Sequence, residues 1–260
     1  MHPRRTAVYD RIAADFDRLR PLPDDVPAKL RAAILAELPP HPRVLDLGCG
    51  SGHFGWPMVT AGENYIAVDV SFGMLREFAS RGGSPRLVRA DGARLPFADE
   101  AFDAVLLIRV LSGTANWRGL LHEVRRVARG GGTLFVGQIV VPEDGLDANM
   151  KQHLSEVLDG MGIHQYQQRS KADAFDWLSR HAERTSKVVA RWPMRRTPRQ
   201  FMERHGGGAH FAALDDMAKS AAMARLANWA SAMFGSLDAA SDEDQSFVLQ
   251  ICRFRQEAMS

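Results

Sequence analysis

Arg43-Val44-Leu45-Asp46-Leu47-Gly48-Cys49-Gly50-Ser51-Gly52 is the stretch that decides the fold. An apolar run enters three glycines at alternate positions and leaves toward Ala61 in a helical pattern. The run reads as a buried strand. The glycines permit positive φ and let a ligand approach the backbone closely. The helix that follows offers free N–H groups at its start. A loop of this shape holds a nucleoside-like ligand with a charged tail.

Outward from this loop the pattern repeats. Tyr65–Val70, Leu87–Ala90, Phe102–Val110 and Thr133–Val141 read as further strands, with helical patterns over Gly52–Ala61, Met74–Ser80 and Trp117–Ala128. Ser71 is the natural N-cap of the second helix. Strands alternating with helices predict βαβ units and a parallel sheet. Right-handed crossovers then bring the loops after the strands to one sheet edge, where ligands bind. Two helices, Ala7–Leu19 and Asp24–Leu38, precede the first strand; Pro21 and Pro23 separate them, and Pro39, Pro40 and Pro42 end the second. After Val141 come helices at Leu146–Leu158 and Lys171–Glu183, a strand at Lys187–Trp192 and a short helix holding Phe201. A long amphipathic helix, Asp215–Phe234, and a last strand, Phe247–Phe254, complete the pattern.

The composition fits this reading. The chain has 260 residues, 45% hydrophobic and 25% charged, enough to bury a sizeable core. A net charge of +2 does not call for nucleic acid. Cys49 and Cys252 are the only cysteines, which excludes a disulfide framework and fits a reducing, cytoplasmic setting. No secretory leader is visible, and the apolar runs Ala104–Ile108 and Leu134–Val141 are far short of the ~20 residues of a membrane span.

Two carboxylates follow the glycine loop in register. Asp69 ends the second strand, where it can accept from both ribose hydroxyls, and Asp91 with Gly92 ends the third, where it can meet an adenine amine. Gly50, Gly52 and Gly55 also satisfy the dinucleotide pattern, so a nicotinamide-dependent oxidoreductase is an alternative. Asp46 argues against it, because a negative charge beside the loop disfavours a pyrophosphate. It suits a ligand bearing a sulfonium and an ammonium, as S-adenosylmethionine does.

The sequence resembles the class I S-adenosylmethionine-dependent methyltransferases, especially the type 11 group that includes the quinone C-methyltransferases. The resemblance rests on VLDLGCGSG (Val44–Gly52), VDVSFGML (Val68–Leu75), ADGARLPFADEAFDAV (Ala90–Val105) and LHEVRRVARGGG (Leu121–Gly132), with YDRIAADFD (Tyr9–Asp17) before them. It implies an α/β, Rossmann-like, seven-stranded and mostly parallel sheet with helices on both faces and helical lid insertions. It implies one domain over 1–260: N-terminal helices in 1–40, a cofactor-binding core in 43–141, and insertions at 142–185 and 198–241 as a lid. By resemblance Asp46, Gly48 and Gly50 surround the methionine part of the cofactor, with Cys49 packed in the same loop. Asp69, followed by Val70, holds the ribose. Asp91 takes the adenine amine, and Gly92 or Ala93 touches the ring. Tyr9, Phe16 and Arg20 cover the methionine end. Arg109 lines the sulfonium side, yet a cation there is unfavourable unless paired, so it points instead at an acidic substrate or a neighbouring carboxylate. Two departures stand out: Gly130-Gly131-Gly132 replaces a proline-led turn, and Arg109 stands where relatives carry an uncharged residue or His.

The implied reaction is methyl transfer from S-adenosylmethionine, leaving S-adenosylhomocysteine, to an O, N or C nucleophile of a small, partly apolar acceptor. The other alternative is a non-catalytic S-adenosylmethionine-binding module. No Asn-Pro-Pro-Tyr-like motif follows the fourth strand, which counts against the DNA amino-methyltransferases. His53, His122, His153, His164, His205 and His210 show no metal pattern, so no metal is expected, and no spacing singles out a base. Lys187, Arg191, Arg195, Arg196 and Arg199 read as a solvated basic face. Met150, Met161, Met217, Met223, Met233, Trp177 and Trp229 populate the insertions as core or as a pocket for an apolar acceptor. An apolar patch on the 215–234 helix would serve a partner or a homodimer rather than a lid.

Overall fold

The computed structural model describes residues 3–18, 20–163, 166–206, 211 and 214–255. Among these, seven strands form one sheet: β1 (Val44–Leu47), β2 (Tyr65–Asp69), β3 (Arg86–Arg89), β4 (Phe102–Ile108), β5 (Ala128–Val140), β6 (Ala182–Arg196) and β7 (Ser241–Phe254). Their order across the sheet is β3-β2-β1-β4-β5-β7-β6. The first five run parallel, while β7 is antiparallel to both β5 and β6. β6 therefore runs in the same direction as β5. The ends of β1, β2, β4, β5 and β6 and the start of β7 share one edge.

Alternation along β4 shows how the strands divide the core. Val105 and Leu107 join one cluster with Leu45, Leu47, Leu121 and Val124; Ala104, Leu106 and Ile108 join the other with Val44, Tyr65 and Phe78. Helices α2 (Val26–Leu35), α3 (Trp56–Thr60) and α4 (Phe72–Ser80) cover the second face. Helices α5 (Trp117–Val127) and α7 (Tyr166–His181) cover the first. A strand with both faces buried must be apolar, and β4 is so from Ala104 to Ile108, with the partly exposed Asp103 only near its start. The caps follow the side chains: Ser71, Asn116 and Asp215 each accept from a first-turn amide.

Helices α6 (Leu146–Gly160), α8 (Pro198–Gly206) and α9 (Asp216–Phe234) pack on one another instead. They close a third core around Met150, Leu154, Phe201, Leu226 and Ala230. This cap follows β5 and β6 and precedes β7, so it stands at the edge where the parallel strands end.

Several boundaries differ from the sequence expectation. The first helix, α1 (Pro3–Ile12), ends in a 3-10 turn at Ala13–Asp15. The helix after the glycines is short, because the chain turns through Gly52 and enters α3 only at Trp56, with Pro57 in its first turn. β6 starts at Ala182 and β7 at Ser241, so the intervening helical segments are shorter than 142–185 and 198–241. The second helix of the first segment, α7, packs on the sheet beside α5, with Ala174 and Leu178 in the sheet core. The basic face is corrected in part: Lys187, Arg191, Arg195 and Arg199 are exposed, but Arg196 is buried on Asp147.

Candidate functional site

The glycine loop closes the end of β1. The amides of Gly48 and Cys49 both donate to the Val68 carbonyl at 2.8 and 3.1 Å. Gly48 has φ +78°, and a Cβ there would stand 2.6 Å from Val110. Gly52 has φ +79° and lies on the Phe78 ring, where a Cβ would come to 2.2 Å. Both positions require glycine for conformation and for space. Gly50 is different. Its side is open except for Phe16 at 3.9 Å.

Asp69 sits against this loop. Its Oδ2 accepts from the Gly50 amide and its Oδ1 from the Ser71 amide, each at 2.9 Å. Burial pushes its carboxyl up, and these amides partly offset the push. Asp46 lies beneath, with side-chain exposure of 2% for the residue. Its Oδ2 accepts from the Tyr65 hydroxyl at 2.5 Å, while Oδ1 is buried with no partner. Burial raises this carboxyl to about 7, against the lowering by the Tyr65 bond, and the nearby Asp69 charge adds to the rise. Burial likewise pushes the Cys49 thiol up, which fits a packed loop residue rather than a thiolate nucleophile. Val70 follows Asp69, and its carbonyl accepts from Arg89. After β3, Asp91 accepts from the Ala93 amide at 3.0 Å, and Gly92 packs on Leu47 and Leu120 with no room for a Cβ.

The N-terminal segment clasps the loop. Asp10 accepts from the Ser71 hydroxyl at 2.6 Å and the Gly73 amide at 2.8 Å. Asp17 accepts from the Ser51 hydroxyl at 2.5 Å and pairs with Arg81, which also bonds the Ser51 carbonyl. Phe16 is thereby held beside Gly50. Tyr9 meets Phe16 edge-on at 6.4 Å, and the Arg20 guanidinium lies 3.9 Å above the Phe16 ring. Sequence reasoning missed Asp10 and Asp17, although their spacing of two helical turns in YDRIAADFD was a usable signal.

Arg109 follows β4 in the left-handed conformation (φ +61°), and its amide donates to the Gly137 carbonyl at 2.8 Å. Burial, with the neighbouring charges of Arg20, Arg204 and Arg196, lowers its guanidinium to about 10. Beneath the cap, Asp147 on α6 accepts from Arg196 at 2.7 Å and from Arg204 with both oxygens at 2.8 and 3.0 Å. Burial pushes the Asp147 carboxyl up, but the two arginines outweigh it and hold it below its ordinary value. Lys151 on the same helix is exposed, yet partial desolvation and the charges of Arg204 and Arg196 hold its ammonium below the ordinary value. His205 stacks on Phe201 at 3.7 Å, and burial lowers its imidazole to about 3, so it is neutral. The sequence pointed to Arg109 but not to Asp147, Lys151 or Arg204.

The remaining candidates scatter. His53 stacks on Phe54 and lies 3.7 Å from Asp17. His122 packs near Trp177, and Trp177 stacks on His181 under the sheet, away from the cap. His153 stacks on Trp229 at 4.2 Å. Met150 is buried in the cap, whereas Met217 and Met233 are exposed. Cys252 is buried in the sheet core. His164 and His210 lie outside the described residues. Among the described residues no helix is long and apolar enough to cross a membrane.

Comparison with known proteins gives the family and the fold. The family described as a methyltransferase domain matches residues 45–136. A demethylmenaquinone methyltransferase of Mycolicibacterium gilvum is 32% identical over 171 residues, covering 65% of this chain and 70% of that protein. One from Corynebacterium urealyticum is 37% identical over 106 residues, which is 41% of this chain and 45% of its own length. With the latter, the chain therefore matches just under half of the relative. The structure of the YcgJ protein of Bacillus subtilis shares the fold, with a TM-score of 0.56 and 20% identity, covering 88% of this chain and 99% of that one.

Proposed function

The chain belongs to the class I S-adenosylmethionine-dependent methyltransferases, in the quinone C-methyltransferase-like group, and from that premise we propose that it methylates a small molecule seated between the glycine loop and the α6–α8–α9 cap. The observation that carries the reading is the pair of carboxylates under an open glycine. Asp46 keeps a buried oxygen without a partner, and Asp69 is fixed by two loop amides beside Gly50. A buried unpaired carboxylate oxygen is costly, and a ligand ammonium would satisfy it.

The residues fit S-adenosylmethionine. Bound there, the sulfonium supplies an activated methyl group. A carboxylate has about four acceptor sites, and the amides of Gly50 and Ser71 engage one on each Asp69 oxygen, leaving capacity for both ribose hydroxyls. Asp91 would accept from the adenine amine, with Gly92 and Ala93 against the ring. Phe16 would cover the methionine end, with Tyr9 behind it, and Arg20 would meet the cofactor carboxylate. Gly48 and Cys49 shape the loop, and Val70 carries the chain past the ribose. The protein's contribution is positioning and exclusion of water.

Calorimetric titration with S-adenosylhomocysteine, with NADH as the control, tests the reading. Saturable binding of the first and none of the second is expected. Asp69→Ala should weaken that binding at least tenfold, since each ribose bond left unpaired costs about 1–3 kcal/mol. Binding of NADH alone, or unchanged affinity in Asp69→Ala, would overturn the assignment.

A further inference from the structure

Four arginines and a lysine from five parts of the chain come near one another at the sheet edge beside the cap. Arg20 closes the N-terminal segment, Arg109 follows β4, Lys151 lies on α6, Arg196 ends β6 and Arg204 lies on α8. Arg109 is within Coulombic reach of Arg20, Arg196 and Arg204, and Lys151 of Arg196 and Arg204. Asp147 compensates Arg196 and Arg204. Glu243, which accepts from the amides of Leu146 and Asp147, is also within Coulombic reach of Arg196. Asp17, paired with Arg81 and Ser51, is within reach of Arg20 and Arg109. Five cations still exceed these three carboxylates. Positive charge remains. The Arg109 guanidinium has no hydrogen bond or ion pair among the described residues. Arg20 Nη1 and Arg204 Nε are buried without partners. Arg20, Arg109 and Arg204 are half-buried and Lys151 is exposed on α6, so the cost lies in the unpartnered guanidinium nitrogens and in bringing like charges together.

Position says what the cluster is for. Val110, next to Arg109, packs on Gly48, so Arg109 is anchored beside the glycine loop. Its left-handed backbone is an unusual conformation for a residue other than glycine, and such conformations concentrate at binding sites. Arg204 and Lys151 come from the cap, and Arg204 is within Coulombic reach of Arg20 as well as of Arg109. Guanidinium groups match planar oxyanions with paired donors.

We propose that Arg109, Arg204 and Lys151 form the oxyanion-binding half of the acceptor site, so that the methyl acceptor is a small molecule bearing a carboxylate or phosphate group. The inference rests on the methyltransferase reading. Arg20 is left to the cofactor's carboxylate. Binding of the acceptor's anion discharges the cluster, seats the cap and turns the nucleophilic atom toward the glycine loop. A neutral acceptor of the same shape leaves the charges unpaired and is rejected.

The test uses the whole protein saturated with S-adenosylhomocysteine and titrated with phenyl phosphate, with benzoate, and with uncharged benzamide. At least one acid should bind saturably and at least tenfold more tightly than benzamide, and the two acids separate a phosphate from a carboxylate preference. Arg109→Met should lose at least tenfold of that affinity and melt no lower than wild type, because it removes a charge without a partner. A merely structural arginine would lower the melting temperature. Lys151→Met is the second variant, and should also weaken the acid. Acids no tighter than benzamide, acids that displace S-adenosylhomocysteine, or unchanged affinity in both variants would overturn the proposal. Failure of S-adenosylhomocysteine itself to bind, seen before any acid is added, would overturn the reading beneath it.

Discussion

Replacing Asp46 by Asn should remove a loss of stability that the ligand-free protein suffers as pH rises. Asp46 is buried, one of its oxygens lacks a partner, and its carboxyl is raised from 3.8 to about 7. The folded protein thus holds this proton more tightly than the unfolded chain. Its contribution is fully present below pH ~4 and drains away as pH rises toward 7. Between pH 5 and pH 8 the protein crosses roughly two pH units below the shifted value. At 1.36 kcal/mol per unit the loss is about 2.5 kcal/mol. Asn cannot ionise and escapes it. Urea unfolding of both proteins at pH 5 and pH 8 measures the effect. The constant cost of fitting an amide cancels when the two pH values are compared. The variant should gain about 2.5 kcal/mol on wild type over this range. Affinity for S-adenosylhomocysteine should meanwhile rise with pH toward 7 in wild type and stay flat, and weaker, in the variant. Parallel stability curves for the two proteins would refute the reasoning.

Gly52→Ala should lower stability by at least about 2 kcal/mol, since the new Cβ would meet the Phe78 ring at 2.2 Å in a left-handed backbone. A melting temperature within a degree of wild type would contradict the packing. Asp147→Ala should cost about 3–5 kcal/mol at neutral pH, because it strands Arg196 and Arg204. The contribution of a carboxylate held below its ordinary value is lost as pH falls, so this deficit should shrink below pH ~4 in denaturant titrations.

Periodicity carried the first half of the fold. The strands β1 to β5 could be read from apolar runs bounded by glycine and capping residues, except for the start of β5 at Ala128 rather than Thr133, because its exposed residues 129–131 carry no apolar signal. Beyond Val141 the signal weakened for a physical reason. β6 is an edge strand, and its first part, Ala182–Ser186, is mostly exposed and polar, so only the apolar Lys187–Trp192 stood out. The start of β7 is equally misleading, because Glu243 and Gln245 are buried polar residues at the cap and not core apolar ones. An amphipathic pattern also does not say which surface a helix meets. α6 and α7 read alike, yet one joins the cap and the other covers the sheet. The glycine loop, Asp69 and Asp91 could be read because the site is local to strand ends. The cation cluster is not local. Residues 20, 109, 151, 196 and 204 have no spacing that links them, and only the topology brings them together.

The place of β7 matters for how the protein is made. Among the described residues it is the last strand in chain order, yet it lies inside the sheet between β5 and β6. During synthesis β5 emerges with a bare edge, and β6 has no neighbour to join until Ser241–Phe254 has left the ribosome. The nascent protein must therefore carry an open strand edge and an unfilled Phe247 niche while the whole cap is being translated. That interval is when edge-to-edge pairing with other chains is easiest. Clipping β7 would not trim a margin; it would unzip the sheet from within and release β6 with it.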